Sequence, residues 1–241
     1  KNNDFHLDYA IFGEPSGINN ITISYKGRLA IRLTCDVLES SHASAPWLSK
    51  NSIEEMYDFW NAIKSEILRI GTYEKKTDSI SCSLTEISGG SSHNVTPQKC
   101  KITIDIRVPT NTNCQNVLDS VKKIIDQISK DKGVKATFRV EDFTEPFEAE
   151  HSSPLVRALS LAIIEKYRKR PVLLRKTGTG DMNILGNTFQ IPVVTYGPGD
   201  PHSSHSVDEH VNIQEYLDSV DIYIKAISHI SRFHKKKELQ K

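Results

Sequence analysis

Apolar and polar side chains alternate with a period of two between residues 99 and 108. Cys100, Ile102, Ile104, Ile106 and Val108 fall on one side of an extended chain, and Lys101, Thr103, Asp105 and Arg107 on the other. The same period predicts strands over Ile21–Tyr25, Leu29–Val37, about 79–88, and Val134 to Val140. Helical spacing governs Met56, Phe59, Trp60, Ile63, Ile67 and Ile70, and again Val117, Val121, Ile124 and Ile128. Ser52 followed by Glu55 predicts a capping box at the start of the first helix, and Gly71 its stop. From Leu29 onward the order is β-α-β-β-α-β, a ferredoxin-like arrangement.

The pattern on either side differs. Tyr9 to Phe12 reads as a short buried strand delivering Gly13-Glu14-Pro15-Ser16-Gly17. After Glu150, Ser153-Pro154 predicts a helix with proline in its first turn. Leu173-Leu174 and Val193 to Tyr196 read as strands. Ile213, Leu217, Val220, Ile224 and Ile227 form the apolar stripe of a last helix. The expected organisation is one α/β domain, residues 1–20 and 148–241, interrupted by a ferredoxin-like insert at 21–147.

Composition narrows the partners. The 241 residues carry a net charge of +1 with 25% charged side chains, so no broad field favours nucleic acid or a strongly charged partner. No apolar run reaches the ~18 residues of a membrane span. Cys35, Cys82, Cys100 and Cys114 form no Cys-x-x-Cys pair and read as reduced packing residues, which predicts a cytoplasmic protein. The chain starts without Met, as a fragment or the ordered part of a longer polypeptide would.

Three loops follow predicted strands and so stand where α/β sheets bind ligands. They carry Glu14, Lys176 to Asp181, and Asp200 to Glu209 with His202, His205 and His210. Carboxylate and imidazole are both zinc ligands. Read singly, Glu14-Pro15 is also an ordinary turn, each histidine an ordinary surface residue, and Asp181 a helix cap. Six stretches occur in one order: Gly13-Glu14-Pro15-Ser16, Ser41-His42-Ala43-Ser44-Ala45-Pro46, Gly89-Gly90 with Asn94-Val95-Thr96-Pro97, Asp105-Ile106-Arg107, Gly178-Thr179-Gly180-Asp181, and Gly197-Pro198-Gly199 with His205 and Glu209.

That series resembles the di-zinc aminoacylase/carboxypeptidase family, which includes acetylornithine deacetylase and succinyl-diaminopimelate desuccinylase. Arg175 to Leu185 and Thr195 to Gly199 are most similar to archaeal-type hydrolases that free lysine or ornithine from an amino-group carrier protein, earlier described as acetyl-lysine deacetylases. The resemblance implies a zinc-peptidase-like catalytic α/β domain lacking its N-terminal part, with an inserted ferredoxin-like α+β dimerisation domain. It implies Zn²⁺, two per full-length subunit with Co²⁺ as a substitute, bound in part by Glu14 and His205. His205 is preferred to His202 because it opens the His-x-x-x-Glu pattern ending at Glu209.

His42 corresponds to a catalytic histidine that the insert sends to the partner subunit of a homodimer. Asn94, Arg107, Gly178 and Thr179 correspond to substrate-binding residues, although Arg107 also reads as a solvated residue of its strand. Gly180 stands where the family often has serine. The catalytic base and remaining ligands precede the Gly-Glu-Pro motif in the family, and none of the 13 residues before Glu14 matches them. The reaction implied is hydrolysis of a linear amide in lysine or arginine biosynthesis. Deacetylation of acetylornithine or acetyl-lysine is the alternative within the class. A non-catalytic dimerisation or binding module is the alternative outside it. Lys166, Arg168, Lys169, Arg170, Arg175 and Lys176 are candidates for a patch that receives an acidic carrier, or for solvated helix-end charges.

Overall fold

The computed structural model describes residues 6–203 and 206–238, the last four as backbone only. In chain order the elements are β1 (Ala10–Phe12), β2 (Asn20–Tyr25), β3 (Gly27–Asp36), α1 (Ser52–Gly71), β4 (Ser81–Gly89), β5 (Lys99–Val108), α2 (Cys114–Lys132), β6 (Lys135–Thr144), β7 (Phe147–Glu148), α3 (Pro154–Tyr167), β8 (Val172–Lys176), α4 (Asp181–Phe189), β9 (Val193–Thr195) and α5 (Ile213–Glu238). Contacts divide the chain into two units. One comprises the residues up to Tyr25 and from Phe147 onward, and the other is Lys26–Pro146. Among the described residues no helix is long and apolar enough to cross a membrane.

The Lys26–Pro146 unit is a four-stranded antiparallel sheet in the order β4-β5-β3-β6, with α1 and α2 packed together against it. Numbered within the unit, the strand order is 2-3-1-4, the ferredoxin-like order that β-α-β-β-α-β produces. The alternation read from β5 holds: Cys100, Ile102, Ile104, Ile106 and Val108 are buried. They meet Leu29, Ile31, Leu33 and Cys35 of β3 and Met56, Phe59, Ile63 and Ile67 of α1 in one core. Burying each isoleucine fully stabilises the fold by roughly 1.5–3 kcal/mol, before the entropy of ordering the chain is set against it.

All four cysteines are free, and Cys35, Cys100 and Cys114 are buried. Burial pushes Cys35 up to about 11 and Cys82 and Cys114 to about 12, so all three remain thiols at neutral pH. The start of α1 differs from the expected capping box. Asn51 is the N-cap and accepts from the Ile53 N–H, while Glu55 turns away to Lys132 at 2.8 Å. Gly133 closes α2 in the left-handed region at φ +59°, where a glycine carries no Cβ penalty.

The other unit is a five-stranded mixed sheet. β1 and β9 run parallel, β2 and β8 run parallel, and β2 meets β9 and β7 antiparallel. Successive residues of β9 face opposite sides. Val194 packs with Ile21, Ile23, Leu155, Leu159, Ile163, Ile222 and Ala226 beneath α3 and α5, and Val193 packs with Tyr25 and Met182 of α4. Ser153 caps α3 by accepting from the Val156 N–H, and Pro154 opens it, as the sequence indicates. The strand Asn20–Tyr25, assigned from sequence to the insert, pairs with β8 along its length and belongs to this sheet, so the division falls between Tyr25 and Lys26.

Candidate active site

The loop after β1 carries Glu14, and the parallel pairing Phe12↔Thr195 makes the loop after β9 leave the sheet beside it. The two loops are stitched together. The Ser16 N–H donates to the Gly197 carbonyl at 3.2 Å and the Gly17 N–H to the Gly199 carbonyl at 3.0 Å. The Gly197 N–H donates to Ser16 Oγ at 3.1 Å. A Cβ on Gly197 would stand 2.7 Å from the Glu14 carbonyl oxygen, so only glycine permits this approach.

Two long side chains, from the ends of β2 and β8, reach the loop that carries Glu14. The Tyr25 hydroxyl donates to Glu14 Oε2 at 3.0 Å. Lys176 Nζ donates to the Pro15 carbonyl at 2.9 Å and lies 5.6 Å from the centre of the Tyr25 ring. Burial raises the Tyr25 phenol to about 12; a hydrogen bond with Thr195 opposes this and the Glu14 charge adds to it. Tyr25 is therefore a neutral donor to a carboxylate at physiological pH. Burial pulls Lys176 below the usual lysine range and the Glu14 charge resists it. Neither Tyr25 nor this role of Lys176 emerges from the sequence, because the contacts require β2 and β8 to lie side by side.

Gly178 has open space where a Cβ would sit, and the Cβ position of Gly180 is 3.6 Å from the Tyr25 ring. Gly180 is the N-cap of α4, and its N–H donates to Asn183 Oδ1 at 3.2 Å. Asp181 is the first helical residue rather than the cap, placed where a negative charge favours the helix dipole. β8 runs with β2 and against β9, so the loop at 177–180 does not share a strand direction with the loops after β1 and β9.

The preferred metal ligand, His205, lies outside the described residues. His202 is exposed, with its backbone N–H on Asp200 Oδ1 at 2.9 Å. Among the described residues no group of three or more His, Cys, Asp or Glu is placed to hold a metal. Glu14 alone falls short of the three protein ligands of a catalytic zinc site. The described residues do not by themselves fit a metal centre.

In Lys26–Pro146, two of the candidate segments meet. His42 and Val95 form an antiparallel bridge, the Ala43 N–H donates to the Asn94 carbonyl at 2.8 Å, and the Thr96 N–H donates to the Ser41 carbonyl at 2.9 Å. His42 is exposed, with Nδ1 2.7 Å from Ser44 Oγ. The Asn94 side chain accepts from Ser92 Oγ at 2.5 Å. Arg107 lies apart on β5, where its Nε donates to Asp105 Oδ1 at 2.6 Å. Arg28 reaches the same carboxylate at 3.2 Å, so Arg107 is one member of a charged row on the helix-free face. The expected basic patch is reduced in the same way. Lys166 is held by Asp218 and Asp221, each at 2.8 Å, and Arg175 by Glu148 at 2.6 Å.

Comparison with known proteins gives this arrangement a context. Residues 23–133 match the model of the M20 peptidase dimerisation domain. The chain is 29% identical to the LysW-lysine/LysW-ornithine hydrolase of Saccharolobus solfataricus, over 94% of this chain and 60% of the relative. The enzyme of the same description from Saccharolobus islandicus is 28% identical over the same shares. Among solved structures, the chain resembles an M20 family metallo-carboxypeptidase from Sulfolobus solfataricus, with TM-score 0.74, 17% identity, and coverage of 93% of this chain and 64% of that one. It also resembles a tripeptidase from Staphylococcus aureus, with TM-score 0.77, 16% identity, and coverage of 95% and 58%. The structural likeness establishes a shared fold. The chain spans about 60% of the length of the curated relatives it matches.

Proposed function

We propose, from a chain related along most of its length to M20-type hydrolases, that the polypeptide containing it is a metal-dependent amidohydrolase. Its reaction is cleavage of a linear amide that releases lysine or ornithine from an amino-group carrier protein, in lysine or arginine biosynthesis. The observation that carries this reading is the match to the LysW-lysine/LysW-ornithine hydrolases over 94% of the chain, well beyond the dimerisation domain. The metal, Zn²⁺ or Co²⁺, belongs to the whole polypeptide, to which this chain contributes Glu14 and His205.

The remaining roles are those the family resemblance implies. Asn94 and Arg107 bind the polar and carboxylate groups of the substrate, since a guanidinium pairs with carboxylates through parallel donors. Arg107 Nε donates to Asp105 Oδ1 at 2.6 Å. The loop at Gly178-Thr179 lies against the substrate with no side chain at Gly178 to obstruct it. His42, supplied by the partner subunit of a homodimer formed through the inserted unit, donates a hydrogen bond to the oxyanion. Free, buried cysteines favour a reducing compartment, hence the cytoplasm.

The test is hydrolysis by the longest natural polypeptide that contains this chain, supplied with zinc. Carrier-linked lysine, carrier-linked ornithine and acetylornithine are offered side by side, with His205→Ala as control. Turnover of the carrier-linked compounds, lost in the variant, supports the reading. Turnover of acetylornithine alone moves the substrate to the deacetylase class. A protein that neither binds zinc nor hydrolyses any of the three overturns the reading and leaves the binding-module alternative standing.

A further inference from the structure

The two ends of the segment that carries His42 border a cavity within the Lys26–Pro146 unit. The cavity has a volume of about 470 Å³ and is lined by residues 36–39, 48–50 and 133–135. That volume lies within the ~300–1,000 Å³ typical of small-molecule sites. The first two stretches are the end of β3 and the approach to α1, and the third is the turn from α2 into β6. Val37 and Val134 belong to the core of the unit and bring its apolar surface to the cavity. Leu38 and Leu48, which also line it, are 98% and 66% exposed. One exposed leucine is ordinary, but two on a concave apolar surface mark a place where something binds.

The charges of the lining say what kind of molecule fits. Lys50 and Lys135 both line the cavity, and neither has an ion-pair partner among the described residues. Lys50 Nζ reaches toward the opposite stretch, 3.8 Å from the Cβ position of Gly133. Of the two acidic lining residues, Asp36 is held by Lys99 at 3.2 Å, while Glu39 is exposed and unpaired among the described residues. The end of α2 adds a weak negative potential. The Gly133 and Val134 N–H groups already satisfy its Lys130 and Ser129 carbonyls. Two free ammonium groups against one free carboxylate, beside an apolar wall, suit a short aliphatic chain that ends in a carboxylate. Hydrogen bonds between ammonium and carboxylate are charge-assisted and so among the stronger ones.

Polar contacts link the cavity to His42. Ser49, a lining residue, donates through Oγ to Ser41 Oγ at 2.8 Å and lies 2.8 Å from Thr96 Oγ1. The Ser41 N–H donates to the same Thr96 oxygen at 2.7 Å. His42 follows Ser41 and bridges to Val95, the neighbour of Thr96. A molecule that touches both ends of this segment favours one arrangement of it over others. We propose that the cavity binds a short aliphatic carboxylate, and that filling it fixes the segment that bears His42. Binding here is independent of the reaction proposed above, and its test reads no catalysis.

The experiment is an amide NMR titration of the longest natural polypeptide that contains this chain, with hexanoate and separately with hexanamide. Hexanoate is expected to shift residues 36–39, 48–50 and 133–135 and, with the same dissociation constant, Ser41, His42 and Thr96. Hexanamide keeps the chain without the charge and should bind about tenfold more weakly. Lys50→Glu should weaken hexanoate by a similar factor, and Leu48→Asp should weaken both probes. Both positions are exposed, so both variants should melt as the wild type does. Lys123→Glu, at an exposed position of α2 away from the cavity lining, should leave binding unchanged. The comparison of the two probes on the wild type decides the matter even if a variant does not fold. Equal binding of hexanamide, or hexanoate binding untouched by Lys50→Glu, would overturn carboxylate recognition. Shifts at the cavity without shifts at Ser41, His42 and Thr96 would overturn the link to His42. No shifts at all would overturn the site itself, whether the cavity stays open or a second copy fills it.

Discussion

At the scale of the residue, Glu14 is held by partners that the sequence does not announce. The turn Gly13-Glu14-Pro15 is legible as a loop delivering a carboxylate, and Gly197-Pro198-Gly199 as a stretch of the family series, but that the two loops lie side by side comes only from the pairing of β1 with β9. Tyr25 is not legible as a partner, since eleven positions separate it from Glu14 and only the folded sheet brings the hydroxyl to 3.0 Å. Tyr25→Phe keeps the ring against Met182 and Val193 and removes that bond, and is expected to lower stability by about 1 kcal/mol. Tyr25→Ala also empties the apolar space and is expected to cost roughly 3–5 kcal/mol. Urea denaturation of both variants checks this, and equal losses would mean that the ring contributes nothing beyond the hydroxyl. Asp218 gives a pH prediction. Hydrogen bonds from Lys166, Tyr167 and Gln214 hold its carboxyl down to about 2. A depressed acid contributes stability above its unfolded value, near 4, and loses that contribution as pH falls toward 2. Asp218→Asn should therefore flatten the dependence of melting temperature on pH between 4 and 2, while an unchanged slope would assign that acid sensitivity to other carboxylates.

At the scale of the element, periodicity located every long helix and strand but did not choose faces or caps reliably. β5 was legible in full because one side of it meets the helices and the other meets ions. In α5 the stripe with the clearest spacing, Ile213 to Ile227, is the exposed one, and the shorter Ile222 and Ala226 face is buried. Sequence periodicity reports that a face needs burial, without reporting which neighbour supplies it. The α1 terminus shows the same limit for polar contacts. Ser52 and Glu55 have capping-box spacing, yet Asn51 one residue earlier takes the cap, and Ser52 Oγ is buried with no partner among the described residues. Asn51→Ala should therefore destabilise Lys26–Pro146 by about 1 kcal/mol, and Ser52→Ala should be neutral or slightly stabilising. Thermal melts of the two variants reverse in order if the serine is the true cap.

At the scale of the whole molecule, the order β-α-β-β-α-β was legible because each element has its own period, and the sheet order follows from that connectivity. The boundary was not, because Ile21–Tyr25 alternates like an insert strand and only pairing with β8 shows which sheet owns it. The physical reason to expect autonomy for Lys26–Pro146 is that it encloses a core of its own, built from both helices and at least three strands. Its two ends also meet: a Cβ on Gly27 would stand 2.7 Å from the ring of Pro146, so the chain enters and leaves at one place. Cutting there severs two adjacent crossings and leaves every strand pairing of the four-stranded sheet intact. The excised segment 26–146 should therefore fold by itself, with one cooperative urea transition and dispersed amide resonances. A collapsed segment without a cooperative transition would mean that the core depends on the rest of the chain. Sedimentation of the same segment tests the homodimer proposal separately. A mass that doubles with concentration places self-association in this unit, whereas a folded segment that stays monomeric at high concentration moves it elsewhere.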